Sequence, residues 1–104
     1  MMFFNSNLII TDPCYLLSKS DWDKLTNLHI EDEEEFNETS AMVLNNIGIR
    51  GIIRNNRLGD GTFNIITSRG DNVGTYWVDS GLVCFIDHDS YLEYLDKLSV
   101  DEKK

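Results

Sequence analysis

The sequence predicts an α+β fold, in which an antiparallel β-meander of four to five strands is covered by a short helix in the N-terminal half and by a C-terminal helix. Three small-residue turns, at 59–61, 68–72 and 79–81, predict the meander, because each joins two runs rich in Ile, Val, Phe, Tyr and Thr. The connections are short, as they are between antiparallel neighbours. A chain of 104 residues has room for one hydrophobic core, so we expect a single domain over 1–104.

The first third of the chain predicts a strand, a helix and an acidic loop. The apolar run 8–10 indicates a short buried strand that ends before Pro13, because proline has no N–H donor for a strand ladder. Ser20 and Asp23 have the spacing of a capping box, which predicts a helix over 20–27. Six acidic side chains crowd the segment 31–39, and their mutual repulsion predicts a solvated loop. The alternative for this segment is an acidic surface that mimics a nucleic-acid backbone.

The rest of the chain supplies the sheet and the last helix. Residues 39–44 fit either a strand or a turn of helix, and 47–53 predicts a strand with a bulge, because its apolar alternation slips between Ile49 and Ile52. Further strands are expected at 62–67, 73–78 and 82–86. The C-terminal helix starts at a cap, Asp87 or Asp89, and its apolar stripe comprises Tyr91, Leu92, Leu95 and Leu98. We expect 100–104 to be a frayed terminus.

The net charge of −9 is unevenly distributed along the chain. Residues 45–78 contain four arginines, no lysine and only two acids, whereas both flanking segments are acidic. No apolar run approaches the roughly 20 residues of a membrane span, and the N-terminus lacks the features of a signal peptide. Two cysteines in unrelated contexts suggest neither a disulfide framework nor a metal site, so we expect a reduced cytoplasmic protein that does not contact membranes.

Arginines and aromatic residues of the central segment suggest a binding site. A guanidinium offers a planar set of donors that suits phosphate or carboxylate, and an aromatic ring can stack on a base. The candidate ligand-binding residues of this type are Arg50, Arg54, Arg57, Arg69, Tyr76 and Trp77. Neighbours in a strand face opposite ways, so either Tyr76 or Trp77 must point outward. The alternative is that the arginines pair with nearby carboxylates.

Polar residues at the turns complete the candidate site. Asp12, Asp60 and Asp79, with Tyr15 and Ser80, are expected at one end of the sheet, because alternate turns of a meander lie at the same end. Turn chemistry alone also explains Asp60 and Asp79, since aspartate and glycine favour tight turns. In a third interpretation, the three carboxylates bind a divalent cation.

No specific catalytic motif is present. Neither histidine stands in an order with serine or cysteine that indicates a nucleophile and its base. Cys84 lies among large apolar residues and is expected in the core, while the reactivity of Cys14 is left open. The sequence therefore favours a protein that is not an enzyme and needs no cofactor other than, in the third interpretation, a divalent cation.

Three ordered motifs carry a resemblance to a known group. Residues 12–15 (DPCY), 59–63 (GDGTF) and 78–81 (VDSG) resemble small phage and prophage proteins with a DPCY strand end, a helix that contains tryptophan, a GDG turn and a closing VDSG or VDAG turn. The resemblance implies a phage origin, a β-rich fold and, if the protein is phage-encoded, a location in the host cytoplasm. Small phage proteins often bind host components, including the nucleotide signals of antiviral defence.

Three hypotheses for function follow. The first is a homo-oligomeric binding protein that holds a small anionic ligand such as a nucleotide and sequesters a host defence signal. The second is an acidic interaction protein that occupies a nucleic-acid site on a basic host protein. The third is a cation-dependent hydrolase that uses Asp12, Asp60 and Asp79.

Overall fold

The protein has the predicted α+β fold. A computed structural model describes residues 2–4 and 8–98, which contain six strands and three α-helices. In chain order the elements are β1 (Met2–Phe4), β2 (Leu8–Thr11), a 3-10 turn (Pro13–Tyr15), α1 (Lys19–Thr26), α2 (Glu33–Asn46), β3 (Gly51–Asn55), β4 (Gly61–Ile66), β5 (Asn72–Val78), β6 (Leu82–Asp87) and α3 (His88–Lys97). The frayed terminus predicted for 100–104 lies outside the described residues.

The strands form two antiparallel sheets, so the prediction of a single meander is wrong. A four-stranded sheet has the order β1-β2-β6-β3, and a separate two-stranded sheet pairs β4 with β5. The strand β6 leaves its chain neighbour β5 and lies between β2 and β3. This pairing places Ile86 opposite Ile9, and Cys84 opposite Ile53, on one face.

That face carries the hydrophobic core. Ile9, Ile53, Cys84 and Ile86 are fully buried and pack with apolar side chains of all three α-helices. The side chains from the helices are Leu25 of α1, Leu44 of α2, and Tyr91 and Tyr94 of α3. Cys84 is a core residue, as the sequence predicts. The helices therefore cover one face of the four-stranded sheet, while β5 lies against β1 and β2.

The helix α1 begins at Lys19, and its N-cap lies two residues before the predicted one. Its N-cap is Ser18, whose hydroxyl accepts a hydrogen bond from the Asp21 amide at 3.2 Å, so the predicted Ser20 cap is wrong. The phenol of Tyr94 decides between the two serines. Its oxygen accepts from the Ser18 amide at 2.8 Å and donates to the Asp21 carboxylate at 2.8 Å.

The acidic segment is helical from Glu33, so the loop predicted for 31–39 is wrong over most of its length. Asp32 caps α2 by accepting a hydrogen bond from the Glu35 amide at 2.8 Å. Carboxylates in the first turn are favourable, because they face the positive end of the helix dipole. This attraction outweighs the mutual repulsion on which the loop prediction rested.

The end of α2 explains the shifted apolar pattern of residues 47–53. Gly48 has a φ of 88°, a backbone conformation that glycine adopts at little cost. The Ile49 amide then donates to the Leu44 carbonyl at 2.9 Å, and the Gly48 amide to the Asn45 carbonyl at 3.1 Å. These two bonds define a Schellman motif. The predicted bulge is therefore a helix terminus, and β3 starts only at Gly51.

The helix α3 starts at the first of its two predicted caps. The Asp87 carboxylate accepts a hydrogen bond from the Ser90 amide at 2.9 Å. The buried stripe includes Tyr91 and Tyr94, whereas Leu92, predicted to be in the stripe, is exposed. Within the described residues, no helix is long and apolar enough to cross a membrane.

Candidate functional site

Asp12 joins the end of β2 to the turn between β5 and β6. It is fully buried, and its Oδ2 accepts hydrogen bonds from the backbone amides of Asp79 at 2.7 Å and Ser80 at 2.6 Å. Its Oδ1 accepts from the Cys14 amide at 2.9 Å and from the Ser80 hydroxyl at 2.8 Å. The first and third motifs of the sequence thus meet at one carboxylate.

These contacts stabilise the ionised form of Asp12. Burial raises the pKa of the carboxyl group, but the hydrogen bonds from Cys14, Ser80 and Asp79 together lower it by more than burial raises it. The pKa therefore lies below its ordinary value. Three of the four donors are backbone amides and the fourth is a hydroxyl, so none of them carries a charge. Asp12 therefore acts as a fixed structural anion, and its lone pairs are used within the protein.

Cys14 and Tyr15 surround this carboxylate without forming a nucleophilic site. Burial, a hydrogen bond to Asp12 and the charges of Asp12 and Asp79 raise the pKa of the Cys14 thiol to about 12. The thiolate is the reactive form of cysteine, so this thiol is unreactive near neutral pH. The half-exposed Tyr15 hydroxyl donates to the Asp79 carboxylate. The Tyr15 hydroxyl is therefore hydrogen-bonded to the turn between β5 and β6.

Asp60 lies near the same end of the hairpin, as the spacing of the turns predicts. Gly61 pairs with Val78, which places Asp60 beside the turn that carries Asp79. The Asp60 carboxylate lies 3.9 Å from the position that a Cβ atom on Gly81 would take. Within the part of the chain that the structure describes, however, no three His, Cys, Asp or Glu side chains are placed to hold a metal ion. The hydrolase hypothesis gains no support from this arrangement.

The structure does not bring the four arginines together. Arg50, before β3, donates to Asp87 at 2.7 Å, and Arg57, beyond the other end of β3, donates to Glu33 at 2.7 Å. Arg54 donates to the carbonyl of its neighbour Ile53 at 3.1 Å. Arg69 lies in the turn that joins β4 to β5. The anionic-ligand hypothesis stays a prediction, but its expected cluster of guanidinium groups is absent among the described residues.

The aromatic pair 76–77 divides between the two faces of the hairpin, as strand geometry requires. Tyr76 packs on Phe63, with ring centroids 5.6 Å apart, and its hydroxyl donates to Asn56 at 3.3 Å. Trp77 is the outward residue and is 56% exposed. No predicted arginine shares its strand.

A cleft of about 400 Å³ opens between the α1–α2 connection and the ends of β3 and β6. Apolar side chains line part of it, and the acidic residues Glu31 and Glu33 lie among its walls. The other lining residues are Leu25, Thr26, His29, Ile30, Phe36, Asn55, Ser80 and Leu82. None of the four arginines lines this cleft, although Arg57 reaches Glu33 from outside.

Sequence reasoning missed the cleft and the loop that forms its wall. His29 in this loop has a φ of 51°, in the left-handed region that side chains other than glycine rarely adopt. Such a conformation costs roughly 1–2 kcal/mol. Two helices joined by a short polar connection would have indicated this loop. The signal was missed because the second helix was predicted as a loop.

The comparisons with known proteins give no assignment. No protein-family model, no curated protein and no solved structure matches the chain. The resemblance to phage proteins therefore remains an expectation from the three motifs.

Proposed function

We propose that this protein is a binding protein that presents an acidic surface to a basic site on a partner protein, such as a site that otherwise holds nucleic acid. One observation carries the proposal: the acidic segment borders the cleft as the start of an ordered helix. We define the acidic surface as Glu31, Asp32, Glu33, Glu34, Glu35 and Glu38, all of which are exposed.

The cleft suits a lysine or arginine side chain of the partner. Such side chains have an apolar stem and a charged end, and they bury the stem against apolar surface while the charge stays near water or a counter-ion. Leu25, Phe36 and Leu82 supply apolar wall, and the carboxylates of Glu31 and Glu33 supply the counter-charge. A basic side chain could therefore enter with both of its parts matched.

Charge supports the approach of a basic partner. The net charge of −9 attracts a positively charged surface over distances of about a Debye length. Because α2 is capped at Asp32 and packs in the core through Leu44, the backbone that carries these carboxylates is ordered before binding. Preorganised groups lose less conformational entropy on association than those of a flexible loop.

The test is the binding of a fluorescently labelled oligo-arginine peptide, measured by fluorescence anisotropy at several salt concentrations. The double variant Glu31→Gln, Glu33→Gln should weaken binding by roughly fivefold, because exposed charge pairs contribute about 0.2–1 kcal/mol each. Its matched control is Glu34→Gln, Glu35→Gln, which removes the same charge from the same segment outside the cleft lining.

A clearly smaller effect of the control supports the cleft as the centre of the site. Equal losses in the two double variants would show that only overall charge attracts the peptide, and the cleft would have no part in binding. An absence of binding at low salt would contradict the proposal as a whole. The anionic-ligand hypothesis is tested separately, by calorimetric titration with cyclic and linear nucleotides.

A further inference from the structure

The β4–β5 hairpin carries no charged residue in either strand. The six residues of β4 are GTFNII and the seven of β5 are NVGTYWV. In the whole chain 26% of residues are charged, and the net charge is −9. On the outward face, Ile66, Val73 and Trp77 are 55%, 44% and 56% exposed. The hairpin is therefore a neutral, partly apolar surface on an acidic protein.

The strand β4 also has an open edge. It pairs with β5 on one side, and within the described residues no strand lies on its other side. The N–H and C=O groups along such an edge favour the addition of another strand, and proteins usually block this with charged residues or proline. A two-stranded sheet alone is only marginally stable in water.

The edge of β4 differs from the edge formed by β3. The strand β3 is also an edge strand, in the four-stranded sheet, but it contains Arg54. The Arg54 guanidinium donates to the backbone carbonyl of Ile53 at 3.1 Å, so it occupies a backbone acceptor of that strand. Only β3 of these two edges therefore has a charged side chain that opposes strand addition.

We propose that β4 pairs antiparallel with β4 of a second copy of this chain, so that two hairpins form one four-stranded sheet in the order β5-β4-β4-β5. A two-fold axis relates the copies, which makes the interface self-complementary. The absence of charged side chains from β4 makes a second copy a suitable occupant, because in a two-fold strand pair any charged side chain would lie near its own counterpart. Two chains of net charge −9 repel one another through their acidic surfaces, and the uncharged strands of the hairpin are where they can meet with the least repulsion.

This dimer is independent of the proposed function and responds to salt in the opposite direction. Added salt screens the repulsion between two acidic copies and should strengthen the dimer, whereas it weakens the attraction of a basic peptide. The two proposals can therefore fail separately.

Sedimentation equilibrium of the full chain tests the proposal, with an expected mass near twice 12.0 kDa that persists at high salt. The variant Asn64→Lys places a charge in the middle of β4 and should raise the dimer dissociation constant by roughly tenfold or more, because like charges across a strand pair are unfavourable. Met42→Lys is the matched control, since it adds the same charge at an exposed position of α2 and should leave the dimer unchanged.

Amide hydrogen exchange of the unmodified protein gives a measurement that does not depend on the folding of a variant. Amides of β4 should exchange more slowly as the protein concentration rises through the dimerisation range, while those of β3 should not change. A single-copy mass at every concentration and salt level would overturn the proposal. So would protection that rises at β3 rather than β4, or equal dissociation of the Asn64→Lys and Met42→Lys variants.

Discussion

Asp12 and Ser80 are 68 positions apart in the sequence, yet Ser80 donates both its backbone amide, at 2.6 Å, and its hydroxyl, at 2.8 Å, to the Asp12 carboxylate. This contact fixes the turn after β5 against the end of β2. It lets the chain leave the two-stranded sheet and enter β6 in the four-stranded sheet. The buried carboxylate of Asp12 therefore helps to fix the position of the hairpin relative to the core, together with the contacts of β5 with β1 and β2.

The first prediction concerns the variant Asp12→Asn. One oxygen becomes an NH₂ group, so buried donors lose their acceptor and the hydrogen bonds lose their charge. We expect the free energy of unfolding to fall by about 3 kcal/mol, since hydrogen bonds to charged groups contribute about 1.5–3 kcal/mol and orphaned donors cost more. Urea unfolding followed by circular dichroism measures this change.

Asp60→Asn is the control for this variant. It makes the same chemical change at an exposed turn position, where substitutions usually alter stability by less than about 0.5 kcal/mol. If the two variants were equally stable, Asp12 would not have the structural role assigned to it.

The second prediction concerns acid stability. The folded-state pKa of Asp12 lies below its ordinary value, so the folded protein favours the ionised group. The stabilisation is fully present above the unfolded pKa of about 4 and is lost as the pH falls through the folded pKa. Asp21 acts in the same direction, because the hydrogen bonds from Tyr94, Lys24 and Ser18 outweigh its burial and lower its pKa.

Urea midpoints measured between neutral pH and about pH 2 should therefore decrease on acidification. The decrease should be smaller in Asp12→Asn than in the unmodified protein. An equal decrease in both proteins would mean that Asp12 does not contribute to the pH dependence.

The local sequence predicts most of the strands and the last helix. The expected strands 62–67, 73–78 and 82–86 differ from β4, β5 and β6 by no more than one residue at each end, because Gly and Asp fix the turns between them. The pairing of β6 could not be predicted from these turns. It depends on β2, more than 70 positions away, and on the contact between Asp12 and Ser80.

The starts of α1 and α2 also depend on residues that are distant in the sequence. The sequence SKSDWD contains two overlapping cap signals, and the choice between Ser18 and Ser20 is made by Tyr94 in α3. For the acidic segment, repulsion and the helix dipole oppose one another. The packing of Leu44 in the core, with Phe36 and Val43 against it, adds to the attraction of the dipole in favour of the helix.

The candidate site was predicted in part. The expectation that Asp12, Asp79 and Ser80 lie at one end rested on the alternation of turns in a meander, and the structure brings them together although the single meander is wrong. One outward aromatic followed from strand geometry. The arginines could not be placed, because Arg50 and Arg57 pair with Asp87 and Glu33 across long sequence separations. Pairing with acids was the alternative interpretation of these residues, and it holds for these two.

The third prediction is that Cys14 reacts slowly with iodoacetamide in the folded protein. With a pKa raised to about 12, its thiolate fraction near pH 8 is at least about a hundredfold below that of an ordinary cysteine. Mass spectrometry of the labelled protein should show slow modification of Cys14 in buffer and rapid modification in urea. Fast labelling in buffer would contradict the assignment of an unreactive thiol and reopen a nucleophilic role.

The fourth prediction is that Tyr94→Phe destabilises the protein by about 2 kcal/mol. The change leaves the buried Ser18 amide without its acceptor and removes a donor from Asp21, and each such loss costs about 1 kcal/mol or more. Tyr91→Phe is the comparison, because among the described residues the Tyr91 hydroxyl makes one hydrogen bond, to the Leu16 carbonyl at 2.9 Å. Chemical denaturation should rank Tyr94→Phe as the less stable variant, and the reverse order would refute the role of Tyr94 in selecting the cap.

The last prediction is that Arg57→Ala strengthens the binding of the oligo-arginine peptide. Arg57 donates to Glu33 at 2.7 Å and is largely exposed, so its removal frees a carboxylate of the cleft at little cost in stability. We expect binding about two- to fivefold tighter at low salt, measured by fluorescence anisotropy. Arg50→Ala removes the same charge from the pair with Asp87, beyond the other end of β3, and should change binding much less. If both variants tightened binding equally, net charge alone would govern the interaction and Glu33 would have no special role.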